Sequence, residues 1–83
     1  MGSARRWTPK RLRTKLIHIR TRLDLSQSEM VDALGLKGKI NREDISKFER
    51  GLREPPLPVL LRYARLIGAP LETLVDDKMD LPN

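Results

Sequence analysis

Apolar positions recur at helical spacing along the chain. Leu12, Leu16, Ile19 and Leu23 step by four, three and four residues, which places them on one face of an amphipathic helix. Thr8 reads as its cap, with Pro9 in the first turn. A second helix is predicted after Ser26, where Glu29 three residues on completes a capping box. Met30, Val31 and Leu34 form its inner face, and Gly35 stops it. A third helix starts after Asn41, with Asp44 in the same relation. It buries Ile45, Phe48 and the stem of Glu49, and Gly51 ends it. Pro55 and Pro56 cannot sit inside a helix but lead into a fourth, from about Pro58 to Ile67, with Leu60, Leu61, Ala64 and Ile67 inward. Gly68 closes it, and Pro70 opens a short fifth helix with Leu71 and Leu74 inward. No segment alternates as a strand does, so the pattern predicts an all-α, five-helix bundle.

Eighty-three residues fit one domain, which buries roughly 60–65% of the surface its unfolded chain exposes. The chain lacks cysteine, so apolar packing must hold it together, which suits a reducing cytoplasm. No apolar run approaches the roughly 18–20 residues of a membrane span, and the first residues lack the apolar core of a signal peptide. The net charge of +6 is unevenly spread. Arg5, Arg6, Lys10, Arg11, Arg13, Lys15, Arg20 and Arg22 precede the first acid, whereas Glu72, Asp76, Asp77 and Asp80 dominate the end. That asymmetry favours a polyanionic partner on one face.

Catalytic chemistry is the poorest reading. His18 is the only histidine, so no multi-histidine metal site and no nucleophile–base pair can be assembled around it. The run GLKGK, residues 35–39, lacks the spacing and the hydroxyl of a phosphate-binding loop, because Ile40 follows Lys39. No cofactor is expected. Trp7, among Arg5, Arg6 and Lys10, is expected to pack on the first helix rather than stack within a basic arm.

Three stretches carry a resemblance: LSQSEMVDALGL from Leu25, DISKFERGLREPP from Asp44, and LLRYARLIGAPLETL from Leu60. Together they resemble the phage-repressor and Cro type of helix-turn-helix, the XRE family, over about Leu12 to Leu74. The resemblance implies a lambda-repressor-like fold that binds double-stranded operator DNA without chemistry of its own. Homodimers on palindromic sites, in a bacterial or phage-type cytoplasm and nucleoid, are the usual arrangement.

A recognition helix presents polar side chains on its first turns while its other face packs. After Asn41 the outward positions are Arg42, Glu43, Ser46 and Lys47, and the resemblance places these four at base-facing positions. Arg42 and Lys47 suit guanine edges, and Glu43 suits cytosine. By the same resemblance Gln27 bonds a DNA phosphate and braces the recognition helix. Arg50 and Arg53, flanking Gly51, meet the sugar–phosphate backbone. Arg20 and Glu49 match an ion pair that links helix one to the recognition helix.

Two departures from the family pattern stand out. Val31 replaces a usual alanine where helices two and three approach, which predicts a slightly wider separation or a shifted crossing. The connection between those helices is about three residues longer than usual, an enlarged turn in which Lys37 and Lys39 flank Gly38. A mobile, basic loop is expected there, its lysines touching phosphates. The chain divides into a basic arm (1–8), the helix-turn-helix domain (9–76) and a short tail (77–83). Residues Leu71 to Met79 offer a patch for dimerisation, or the tail is free. Besides a repressor, the same features accommodate an autoregulating antitoxin, with a toxin or co-regulator as protein partner. An interaction module that binds DNA only weakly also fits.

Overall fold

The computed structural model describes residues 8–82; the expectations for Arg5, Arg6 and Trp7 lie outside them. Five helices follow in order: α1 (Leu12–Arg22), α2 (Gln27–Ala33), α3 (Arg42–Arg50), α4 (Leu57–Ile67) and α5 (Glu72–Val75). No β-strand forms among the described residues. The all-α, five-helix architecture read from the periodicity is the one observed.

Local chemistry sets most of the boundaries. Ser26 Oγ accepts the Glu29 amide at 3.0 Å, and the Glu29 carboxylate accepts the Ser26 amide at 2.8 Å. Bonds to the carboxylate from Ser26, the backbone amide first and then the side chain, hold the Glu29 carboxyl below its ordinary value. Asn41 and Asp44 repeat the exchange at the start of α3, at 3.1 and 2.9 Å. Helix α3 ends in a Schellman turn: Leu52 N–H donates to the Lys47 carbonyl at 2.9 Å and Gly51 N–H to Phe48 at 3.3 Å. Proline at the second position of α4 costs nothing there, because its missing N–H has no intrahelical acceptor.

Helix α1 corrects the expected cap. It begins at Leu12, not near Pro9, and no side chain of its own N-terminal residues caps it. Instead the Asp77 carboxylate accepts the Lys10 and Arg11 amides, each at 3.0 Å. A cap supplied from the far end of the chain does what Thr8 was expected to do. The same two amides hold the Asp77 carboxyl below its ordinary value. Residues 77–82 are therefore not free. Arg11 donates to Asp80 at 2.6 Å and to the Asp77 carbonyl at 2.7 Å, Arg22 to the Pro82 carbonyl, and Leu81 rests against the core.

The core gathers Leu12, Leu16 and Ile19 from α1, Met30 and Val31 from α2, and Ile45 and Phe48 from α3. Val59, Leu60, Tyr63 and Ala64 of α4 and Leu74 of α5 close it. Helix α3 lies against both α1 and α2, while α5 packs on α1 and α4. Two expected core residues are exposed, Leu23 and Leu61, and Ile67 is only half-buried. Leu23 falls one residue beyond α1, where the helical register no longer applies. On α4 the inward face is rotated toward Val59 and Tyr63, which leaves Leu61 at its edge. Lys15 is the reverse case. It is 3% exposed, and its ammonium donates to the Thr73 and Asp76 carbonyls at 2.8 and 3.0 Å, tying α5 to α1. Burial lowers its pKa, and neighbouring Arg11 lowers it further.

Candidate nucleic-acid interface

Helices α2 and α3 form a helix-turn-helix whose connection is long but closed. Leu36 is buried, and its carbonyl accepts the Lys39 and Ile40 amides at 2.9 and 3.1 Å. Ile40 packs half-buried against the core. The segment is thus a hydrogen-bonded turn pegged at both ends by apolar side chains, in place of the loose loop expected. Lys37 and Lys39 are exposed on it.

The sequence of α3 divides its circumference. Ile45, Phe48 and Glu49 are buried, whereas Arg42, Glu43, Lys47 and Arg50 are exposed and Ser46 is intermediate. Acids in its first turn and bases in its last complement the helix dipole. The four positions expected to face bases therefore share the outward side. Ser46 is not free there, because its hydroxyl accepts Arg50 Nε at 3.0 Å.

Three arginines hold α3 in place. Arg20 donates to both Glu49 oxygens, from Nε at 2.7 Å and Nη2 at 3.0 Å, and a third bond runs to the Leu25 carbonyl at 3.0 Å. The carboxylate raises the Arg20 pKa above its ordinary value. Gln27 Nε2 donates to Glu49 at 3.3 Å, so the start of α2 is drawn into the same cluster. Arg13, two turns before Arg20 on α1, donates to the Arg50 carbonyl at 3.1 Å. Gly51 has φ +73°, a conformation that calls for glycine; a Cβ there would also stand 3.0 Å from Arg13 Nη1, whose flexible side chain would have to give way. Arg53 donates to Asp44 at 2.8 Å and lies 5.4 Å from the Phe48 ring centroid. Expected on the DNA backbone, it bridges the two ends of α3 in the free chain.

Residue-by-residue reading missed Arg13, Lys15, Tyr63 and Asp77. The seven-residue step from Arg13 to Arg20 was the signal for the first, and a lysine on the Leu12–Leu16–Ile19 stripe the signal for the second. Tyr63 is fully buried, and its hydroxyl has no hydrogen-bond partner among the described residues. Burial, then the Glu49 charge, push its pKa upward.

Comparison with known families decides the kinship: the model of the family HTH_3 (Helix-turn-helix) matches residues 16–74. The chain belongs to the HTH_3 family. Searches of curated proteins and of solved structures gave no match. As an HTH_3 protein of the XRE type it is a DNA-binding regulator of transcription, from a family that is generally non-enzymatic. The matched HTH_3 segment contains α2, the turn and α3, and with them Arg20, Gln27 and the Glu49 cluster. Among the described residues no helix is long and apolar enough to cross a membrane.

Proposed function

We propose that the chain is a sequence-specific repressor that lays α3 in the major groove of double-stranded DNA. The observation that carries this reading is the two-sided character of α3. Arg42, Glu43 and Lys47 stand exposed on its outer side, while its inner side is buried and tied by Glu49 to Arg20 and Gln27. A base-reading helix must be held this firmly to turn side-chain identity into discrimination. Arg42 and Lys47 suit guanine acceptors and Glu43 a cytosine amino group. Lys37 and Lys39 on the turn and Gln27 at the start of α2 supply phosphate contacts. Arg53 joins them by releasing Asp44 or by reaching past it. A homodimer on a palindromic operator places two copies of α3 about 34 Å apart, one turn of DNA. The acid-rich segment around Asp77 and Asp80 neutralises Arg11 and keeps that side away from the polyanion.

Binding-site selection from random duplexes at about 150 mM salt tests the proposal. It expects an enriched palindrome, bound about 10³-fold or more tighter than random DNA. Weak, uniform binding with no enriched sequence would instead mark an interaction module that has kept the fold.

A further inference from the structure

Arg50 ends α3, yet its side chain serves the middle of the helix. Positions 42, 46 and 50 succeed one another at steps of four and so form one stripe along the outward side. Helical side chains lean toward the N-terminus, and Arg50 does so over Ser46. Its Nε donates to Ser46 Oγ at 3.0 Å and approaches the Ser46 carbonyl at 3.4 Å. These bonds use the Nε–H alone. Both Nη groups have no partner among the described residues. Arg53, on the other side of Gly51, differs: its Nη1 is committed to Asp44 and its plane lies over Phe48. The two arginines, alike in the sequence, are therefore prepared for different work.

We infer that Arg50 reads a guanine edge in the major groove and that Ser46 is the positioning residue that aims it. The inference rests on the proposal that α3 enters that groove. A guanidinium pinned through Nε presents its two Nη groups as a planar pair, the geometry that matches guanine O6 and N7. Recognition helices read bases from their N-terminal turns. The backward lean brings the Arg50 fork one turn closer to that region than its Cα. A phosphate is the other ligand for such a fork. An arginine serving phosphate from a helix end has no need of a hydroxyl to fold it along the helix.

The test uses the full chain, the selected operator and a set of its single-base-pair variants, measured by fluorescence anisotropy. Arg50→Ala is expected to erase the preference at one G·C pair per half-site, a loss of roughly tenfold or more, and to leave the ranking at other positions intact. Arg50→Lys keeps the charge but lacks the fork, and it should relax the same pair. Ser46→Ala should relax that pair by roughly three- to tenfold and add nothing on an Arg50→Ala background. Ser46→Thr, which keeps a hydroxyl, should retain the preference. A base-specific loss is a readout that mere destabilisation of the fold does not produce. If Arg50→Ala weakens every duplex alike and flattens the salt dependence by about 0.9, Arg50 is a phosphate contact and the inference falls. If Ser46→Ala leaves that base pair untouched, the positioning role falls by itself. If selection yields no motif at all, the groove-reading proposal has failed, and this assignment with it.

Discussion

Replacing Glu49 with alanine probes how α3 is held. The carboxylate accepts two bonds from Arg20 and one from Gln27, and the side chains of Glu49 and Arg20 are 5% and 19% exposed. Alanine leaves the guanidinium with only the Leu25 carbonyl. Stranding one partner of a fully buried pair costs about 3–5 kcal/mol. Water reaches part of Arg20, so a cost of about 2–3 kcal/mol is expected. Domains of this size lose roughly 4–8 °C of melting temperature per kcal/mol, which predicts a fall of roughly 10–20 °C. Circular dichroism melts measure it, and duplex binding below the melting range should weaken as well. The companion variant Arg20→Met with Glu49→Met removes both charges. It should recover most of the stability, since an apolar pair of similar volume replaces an ion pair at little cost. It should not recover DNA affinity, because a bidentate bond that fixes orientation has given way to contacts without direction. A Glu49→Ala protein melting within about 2 °C of the parent, with unchanged affinity, would refute the reasoning.

Gly51→Ala should cost about 1–2 kcal/mol in urea unfolding, because a side chain is forced into left-handed backbone, and it should also displace Arg13. Adding Arg13→Ala relieves only the contact, so a neutral Gly51→Ala would contradict the backbone geometry. The stabilising contribution of Asp77 is complete above its ordinary carboxyl value of 3.8 and is lost as pH falls through its lowered folded value. Amide resonances of Lys10 and Arg11 should therefore shift as pH falls below 3.8 in the parent and lose that step in Asp77→Asn. Unmoved amides in the parent would exclude the cap. Lys37→Ala with Lys39→Ala should reduce the salt slope of duplex binding by up to about 1.8, whereas an unchanged slope would make the turn a spacer.

What could be read in the residues was what they do to near neighbours. Ser26 with Glu29 and Asn41 with Asp44 act across three residues, and both caps formed as their spacing requires. The inward positions of α2 and α3 followed from period alone. The Arg20–Glu49 contact crosses 29 residues, and only the family resemblance points to it. Thr8 failed as a cap because α1 starts only at Leu12, four residues beyond it, where a distant carboxylate takes that role, and no local pattern announces Asp77. The burial of Lys15 likewise depends on two carbonyls that reach it only once α5 has docked. On α4 almost every position from Leu57 to Ile67 is apolar or long-stemmed, so periodicity left its rotation open, and Tyr63 rather than Leu61 turned inward.

The Asp77 cap also has a bearing on synthesis. Arg20 can meet Glu49 once the chain has grown 29 residues beyond it, but Lys10 must wait for 67. A ribosome adding about 5–20 residues per second delivers α1, α2 and α3 roughly 1–5 seconds before the carboxylate that completes α1. The helix-turn-helix can therefore assemble on the nascent chain while the first turn of α1 is still open. Translation that stops just short of Asp77 releases a polypeptide with α3 complete and the first turn of α1 without its cap.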